Sequence, residues 1–313
     1  AAVNPDLFAI AAVSCEGETW TIGDFSVPFT MQSTCKPLLY CLAQSLIGYE
    51  KVHDYIGREP SGARFNAFVL DEDHMPHNPM INSGAIMSSA IILSQFKNKV
   101  DAYKATKDFV EKIAGHVSPI TFDNSVYLSE LGTASRNFAL THFMSEHSKL
   151  LAEADIQQVL ELYFCACSLT CDCLGMATIA ATMANAGVCP ITQRQPVTPE
   201  VVQNTLSLMY NCGMYDYSGR FAFEVGIPAK SGVSGSLFLS VPNKFGLAIW
   251  SPRLDKKGNS VRGLYVAQRL VHEFPHLHVF GSLQARLMVC PSCWRTCVCV
   301  CVCVCVCVCV CVC

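Results

Sequence analysis

The sequence predicts an α+β fold in which strands near both chain ends form one antiparallel sheet and a helical part is inserted between them. Residues 7–14 and 18–23 have the composition and turn boundaries of two strands. Residues 234–241 and 245–251 form a similar pair, separated by a Pro-Asn-Lys turn. The chain between these pairs carries apolar residues mainly at helical spacing. The strands therefore bracket the helices, which indicates a sheet built from both ends.

The inserted part is predicted to consist of several helices. The first has apolar residues at helical spacing over 37–47 and stops at Gly48. Further helices are predicted at residues 84–96, 101–114, 156–165 and 172–185, and a final amphipathic helix at 261–274. The segment 172–185 is small and apolar nearly all round, so we expect it at the buried centre of the helical part.

A serine and a lysine three residues apart stand where an extended segment turns into the first helix. Residues three apart share a helix face, which places Lys36 beside Ser33. The positive end of the helix dipole favours negative charge that develops there. Lysine can accept the serine proton only if burial or neighbouring cations hold it partly neutral. A serine N-cap followed by a surface lysine would give the same pattern, so this motif alone is weak.

A second motif makes the first more specific. Lys230-Ser231-Gly232 follows far downstream, and penicillin-binding proteins and serine β-lactamases combine Ser-x-x-Lys with a later Lys-Thr-Gly-like strand in the same order. The pair of motifs predicts serine acyl-transfer chemistry.

Other segments resemble one family within this superfamily. Segments 59–62 (EPSG), 76–86 (PHNPMINSGAI), 136–139 (RNFA) and 212–219 (CGMYDYSG) stand in the order found in serine-dependent glutaminases. The resemblance runs from about residue 4 to about residue 279, and segments 206–209 (LSLM) and 228–233 (PAKSGV) make it closest to the animal mitochondrial phosphate-activated enzymes.

The resemblance implies a β-lactamase/transpeptidase-like architecture with the active site in a cleft between sheet and helices. Residues 1–280 would form the glutaminase domain, with the sheet part at about 4–31 and 226–280 and the helical part at about 32–225. Residues 281–313 form a tail that does not look native. Its alternating Cys-Val run over 297–313 holds nine of the 20 cysteines and is what a TGTG repeat would encode, so it is excluded from fold reasoning.

The resemblance also implies a mechanism. Ser33 would attack the side-chain amide carbon of L-glutamine, Lys36 would take its proton, and water would then hydrolyse the γ-glutamyl ester to glutamate. Tyr215 would relay or stabilise that proton. The backbone amides of Ser33 and Val233 would hold the oxyanion, and Gly232 would let its strand approach the substrate closely.

The substrate-binding residues follow from the same register. Glu130 would pair the α-ammonium, while the amides and Tyr163 would bind the carboxylate and the side-chain oxygen. The complete predicted set is Gln32, Asn82, Glu130, Asn137, Tyr163, Tyr215 and Val233. Each has a structural alternative: Asn82 as a turn or N-cap, Tyr163 as a core aromatic and Glu130 as a solvated helix-end charge.

Two groups of metal-ligating residue types are interpreted as structural. Cys165, Cys167, Cys171 and Cys173 fall in a stretch read as helical and lack Cys-x-x-Cys spacing, which favours small buried residues over a zinc site. His74 and His77 are separated by Pro76 and are read as loop residues. We therefore expect neither a metal nor a cofactor, and a reducing compartment without a disulfide framework.

Composition and resemblance together define the expected partners. The net charge of −3 gives no electrostatic case for nucleic acid or an anionic membrane, and no stretch reaches the roughly 20 apolar residues of a membrane span. Residues 59–70 resemble the loop whose ordering accompanies phosphate activation and tetramer assembly. The resemblance thus implies L-glutamine as substrate, inorganic phosphate as activator, and a homo-oligomer, dimer to tetramer. Its location would be mitochondrial, or otherwise cytoplasmic, since no targeting segment precedes Ala1.

Some departures from the family keep two alternatives open. A substrate-contacting tyrosine in a Tyr-Ile-Pro-like motif lies upstream in the family and is expected to be missing here. The chain could then be a catalytically impaired fragment that pairs with complete glutaminase subunits. The other alternative is a penicillin-type serine acyl hydrolase, although residues 215–218 (YDYS) replace the Ser-Asp-Asn chemistry of those enzymes.

Overall fold

The computed structural model describes residues 3–281, so the predictions for the Cys-Val tail lie outside the described residues. The strands are β1 Ala9–Ser14, β2 Thr19–Gly23, β3 Phe29–Thr30, β4 Thr121–Phe122, β5 Leu169–Cys171, β6 Ala229–Ser231, β7 Ser236–Val241 and β8 Phe245–Trp250. The helices are α1 Lys36–Ile47, α2 Tyr49–Val52, α3 Asn82–Ser94, α4 Lys99–Ile113, α5 Asn124–Gly132, α6 Ser135–Ser145, α7 Lys149–Glu153, α8 Ile156–Cys167, α9 Cys173–Ala184, α10 Pro199–Cys212, α11 Ser218–Glu224 and α12 Val261–Glu273. Short 3₁₀ turns occupy Gln32–Cys35, Tyr215–Tyr217 and Pro275–Leu277.

Strands from both ends of the described chain form the main sheet. Its order is β2-β1-β8-β7-β6, and every pairing is antiparallel. The two ends meet where β1 pairs with β8, with Ala12 opposite Leu247. This arrangement confirms the predicted α+β fold class. A second, small sheet of order β3-β5-β4 was not predicted, because its strands have only two or three residues.

Strands β1, β7 and β8 of the main sheet are buried on both faces. Successive side chains of a strand point to opposite faces. In β1, Ala9 and Ala11 join the core shared with the helical part, whereas Ile10 and Ala12 join a second core covered by α12. All six residues of β1 are therefore buried. Burial on both faces explains why these three strands are nearly continuous apolar runs, whereas the partly exposed edge strand β2 alternates threonine with apolar residues.

Helix α9 differs from its predicted place. It is buried as expected, but it packs directly on the sheet instead of lying at the centre of the helical part. Gly246 on β8 permits this contact, since a Cβ atom there would lie 2.0 Å from the backbone nitrogen of Ala181. Helix and strand backbones can approach that closely only where one residue has no side chain.

The four clustered cysteines are not all helical, which corrects the prediction for one of them. Cys165 and Cys167 lie on α8 and Cys173 begins α9, but Cys171 lies in β5. Cys171 is in a strand because β5 pairs along both of its edges. Thr170 of β5 lies opposite Thr30 of β3 and Thr121 of β4. Within residues 3–281, no three His, Cys, Asp or Glu side chains are placed to hold a metal ion together. None of the helices in that range has the length and apolarity to cross a membrane.

Candidate active site

Ser33 does not lie at the start of the first α-helix, where the sequence predicted it. Ser33 lies in the 3₁₀ turn, and α1 begins only at Lys36. Gln32 has a φ of +50°, and both the backbone N–H and the hydroxyl of Thr34 donate to the Met31 carbonyl, at 3.0 and 2.5 Å. Residues three apart eclipse each other in a 3₁₀ turn. Ser33 and Lys36 therefore still lie on the same side of the chain.

Lys36 meets the condition set for a lysine base. Its side chain is completely buried, and its Nζ donates to Oδ1 of Asn82 at 2.6 Å. Burial lowers the pKa of Lys36 to about 8, and the nearby Cys167, Cys35 and Glu130 side chains only partly oppose this effect. Part of the Lys36 population is thus a neutral amine near neutral pH.

Asn82 joins several predicted site residues. It is the first residue of α3, but the N-cap position belongs to Ile81, so its side chain does not cap the helix. Besides accepting from Lys36, it donates to Oδ1 of Asn137 at 3.1 Å, and the Tyr163 hydroxyl donates to it at 3.5 Å. The Asn82 side chain of α3 therefore contacts side chains of α1, α6 and α8. This placement favours the binding interpretation of Asn82 over the N-cap alternative.

Tyr215 lies beside the Ser33 side chain. Its backbone φ is +53°, a conformation that non-glycine residues rarely adopt. Its hydroxyl is buried without a hydrogen-bond partner that meets normal geometry among residues 3–281. Burial raises the pKa of Tyr215, while the adjacent Ser33 side chain and the Val233 backbone act in the opposite direction. A buried hydroxyl next to the serine side chain is suited to exchange a proton with it.

Lys230 is a site residue whose individual role the sequence did not predict. It lies on β6, is completely buried, and holds its Nζ 4.5 Å from the ring centroid of Tyr215 while donating to the Ser231 carbonyl at 2.8 Å. Burial and, second, the charge of Lys36 hold the pKa of Lys230 well below its ordinary value. The Lys-Ser-Gly motif was the available signal, but spacing alone could not show this contact with Tyr215.

The end of β6 packs against the Ser33 turn. A Cβ atom on Gly232 would lie 2.7 Å from Oγ of Ser236 and 3.0 Å from the Met31 carbonyl oxygen. Gly232 therefore permits close packing against the serine turn. Val233 follows it in the turn between β6 and β7, where Gly232 N–H donates to the Ser236 carbonyl at 2.8 Å. The Val233 side chain is 45% exposed, which fits a backbone contribution better than a side-chain one.

Glu130 and Gln32 border the same region. Glu130 lies near the end of α5, is half-buried, and is close enough for its charge to raise the pKa values of Lys36 and Tyr163. Gln32 is half-buried and directly precedes Ser33. Gln32 is thus next to Ser33 in the chain, and Glu130 lies within electrostatic range of Lys36.

Phe65 is a neighbour of the site that sequence reasoning missed. It lies in the segment that joins α2 to α3, and its ring centroid is 4.9 Å from that of Tyr215 and 5.7 Å from Nζ of Lys36. Its carbonyl accepts from the Asn82 N–H at 3.0 Å. The ring face lies within cation–π distance of the lysine, an attraction that acts on the ammonium form. No periodic pattern distinguishes this phenylalanine from other loop aromatics.

Known proteins share both the sequence and the fold. The Glutaminase family model matches residues 1–280. The chain is 45% identical over 284 residues to putative glutaminase 3 of Caenorhabditis elegans, covering 90% of this chain and 48% of that protein. It is 42% identical over 281 residues to the mouse mitochondrial glutaminase liver isoform, covering 90% and 46%. It is 41% identical over 285 residues to a Nostoc glutaminase, covering 91% and 83%. The chain thus spans about half the length of these animal relatives.

Solved structures agree with this result. The probable glutaminase ybaS superimposes with a TM-score of 0.82 at 31% identity, covering 89% of this chain and 88% of that one. Mglu in its tris and glutamate form gives a TM-score of 0.83 at 30% identity, covering 89% and 61%. The architecture is therefore the β-lactamase-like fold of these proteins, and the chain belongs to the glutaminase family.

Proposed function

We propose that this chain hydrolyses the side-chain amide of L-glutamine to L-glutamate and ammonia through a Ser33 acyl-enzyme. The observation that carries the proposal is the completely buried Lys36 beside Ser33, whose pKa is lowered to about 8. Neutral Lys36 removes the proton as the Ser33 oxygen attacks the amide carbon. The proton then passes to the leaving nitrogen by way of Tyr215, and ammonia departs. Water attacks the resulting ester, and the same groups act in reverse order.

The backbone amides of Ser33 and Val233 hold the oxyanion in this proposal. Two observations support it: Gly232 permits tight packing between the β6 end and the serine turn, and the Val233 backbone lies close enough to affect the pKa of Tyr215. Backbone donors fixed in this way need no rearrangement when negative charge develops.

The polar side chains beyond Ser33 suit free glutamine. Glu130 supplies a negative charge for the α-ammonium group, while Gln32, Asn82, Asn137 and Tyr163 supply donors for the α-carboxylate and the side-chain oxygen. Asn82 both contacts Lys36 and belongs to this set, so it couples substrate binding to the orientation of the base. The solved Mglu structure in its tris and glutamate form supports a product of this size and charge.

The experiment is ammonia release from L-glutamine by the complete chain, with Ser33→Ala as the blank and Ser45→Ala as the matched control. Ser45 lies on α1, the helix that follows Ser33, and its hydroxyl donates to the Cys41 carbonyl at 2.8 Å. We expect turnover in the wild type and in Ser45→Ala and none in Ser33→Ala. Added hydroxylamine should divert the acyl-enzyme to γ-glutamyl hydroxamate. A folded wild-type chain that releases no ammonia would refute the proposal, and cleavage of a fluorogenic β-lactam without it would favour the penicillin-type alternative.

We further propose a mitochondrial location and a phosphate-responsive homo-oligomer, dimer to tetramer. The mitochondrial mouse and rat relatives support the location, although cyanobacterial glutaminases match the chain as well. Light scattering during size-exclusion chromatography, with and without phosphate, tests the assembly. A monomer under both conditions contradicts that part of the proposal.

A further inference from the structure

Two cysteines lie in contact beside the proposed catalytic residues. The Sγ atoms of Cys35 and Cys167 are 3.8 Å apart, one on the serine turn and the other at the end of α8. Both thiols are free, and their residues are only 1% and 3% exposed. Other buried thiols are directed to oxygen atoms instead: Cys41 contacts the Thr205 hydroxyl and Cys173 donates to the Ala248 carbonyl.

We propose that Cys35 and Cys167 form a redox-modification site, at which a peroxide closes a reversible disulfide that inactivates the adjacent Ser33 centre. In the first step, one thiolate attacks hydrogen peroxide, the O–O bond breaks, and a sulfenic acid and hydroxide form. In the second, the other thiol attacks the sulfenic sulfur and displaces water. Overall, two thiols lose two electrons and two protons, and one peroxide becomes two molecules of water.

The consequence follows from the distance that the bond requires. Closing the 3.8 Å contact to a disulfide length of about 2.05 Å brings the two sulfur atoms about 1.8 Å closer. Cys35 lies between Ser33 and Lys36, and Cys167 lies one helical turn beyond Tyr163, so this movement acts on both walls of the site. A misplacement of about 1 Å can cost roughly 100-fold in rate. We therefore expect the oxidised form to lose between about tenfold and 100-fold in kcat/KM.

The environment of the two thiols makes their oxidation slow, and an added dithiol makes it reversible. The contact with Cys35, together with burial, raises the pKa of Cys167 well above its ordinary value. Because the thiolate is the reactive form, oxidation by peroxide is slow. A small dithiol such as dithiothreitol can reduce the disulfide by exchange.

The test treats the complete chain with hydrogen peroxide, blocks the remaining thiols by alkylation, and maps disulfides by tandem mass spectrometry while glutamine hydrolysis is followed in parallel. Cys35→Val is the test variant, Cys167→Ser is the second in case the first fails to fold, and Cys41→Ala is the matched buried control. We expect a Cys35–Cys167 cross-link and the stated loss of activity in the wild type and in Cys41→Ala, both reversed by dithiothreitol. Cys35→Val should resist peroxide, so its activity after treatment should equal its own activity before treatment.

The inference rests on the proposed function only for its activity measurement. If the untreated chain hydrolyses no glutamine, the proposed function fails while the mapping still decides whether the pair is oxidised. Failure to form the cross-link overturns the site. A cross-link that leaves activity unchanged, or an equal loss of activity in Cys35→Val, overturns its role in regulation, because oxidation elsewhere would then be responsible.

Discussion

The proposed base predicts how the reaction depends on pH. With the usual lysine pKa of 10.4, about 0.04% of the side chain would be neutral at pH 7. With the pKa of Lys36 at about 8, the neutral fraction at that pH is about 9%, roughly 200-fold more. Only the neutral amine can accept the Ser33 proton. We therefore expect kcat/KM for L-glutamine to rise about tenfold from pH 6 to pH 7 and to level off above about pH 9.

The assay is direct quantification of ammonia at several glutamine concentrations between pH 6 and pH 10, in buffers of constant ionic strength. Constant ionic strength matters because Glu130 acts on Lys36 through its charge. A Glu130→Gln variant removes one influence that raises the pKa of Lys36, so its rising limb should move to lower pH. Such a shift separates an effect on the base from a simple loss of substrate affinity.

Two variants complete the design. Lys36→Arg cannot lose its proton near neutral pH and should be inactive throughout the range. Lys104→Arg changes an exposed lysine of α4 and should reproduce the wild-type profile. Circular dichroism checks that each variant is folded. A profile that is already flat between pH 6 and pH 7, or measurable activity in Lys36→Arg, would refute the reasoning.

Three further predictions concern single side chains. Tyr215→Phe removes a buried hydroxyl without a normal partner, so kcat should fall roughly 10²- to 10⁴-fold with no loss of melting temperature; an unchanged kcat would exclude Tyr215 from proton transfer. Gly246→Ala would place a Cβ atom 2.0 Å from the Ala181 nitrogen, so the free energy of unfolding measured in urea should fall by about 3 kcal/mol; an unaltered midpoint would show that α9 can move away. Asn98→Ala removes the N-cap bond to Asp101 N–H, at 3.0 Å, and should lower the free energy of unfolding by about 1 kcal/mol without changing kcat; a changed kcat would contradict a purely structural role.

The sequence was sufficient for the features that have a local pattern. The four long strands could be predicted because each is an apolar run with turn residues beside it. The helix that follows Ser33 could be placed because Gly48 ends it. The two-residue strands β3 and β4 could not, since β3 pairs with residues about 140 positions away and β4 with residues about 50 positions away along the chain.

Some residues of the site have a sequence pattern that predicts them, and others have none. Ser33 and Lys36 have a motif that predicts them, and the family register added Asn82 and Tyr215. The contact of Phe65 with Lys36, however, depends on how a long connecting segment folds back over α3, and no residue pattern encodes that path. The positive φ angles of Gln32 and Tyr215 were equally invisible, because neither residue type suggests them.

The pairing of β1 with β8 has a consequence for synthesis of the chain. The edge of β1 that does not face β2 stays uncovered until β8 has been synthesised. Leu247, the partner of Ala12 on β8, comes 235 residues later in the chain. At 5 to 20 residues per second, a ribosome needs roughly 10 to 50 s for that interval. During this time the apolar edge of β1 is exposed to other nascent chains, so chaperones that shield extended segments should determine the yield. Lys230 and Val233 are also synthesised late, so the residues grouped around Ser33 cannot all be in place before this part of the chain has been made.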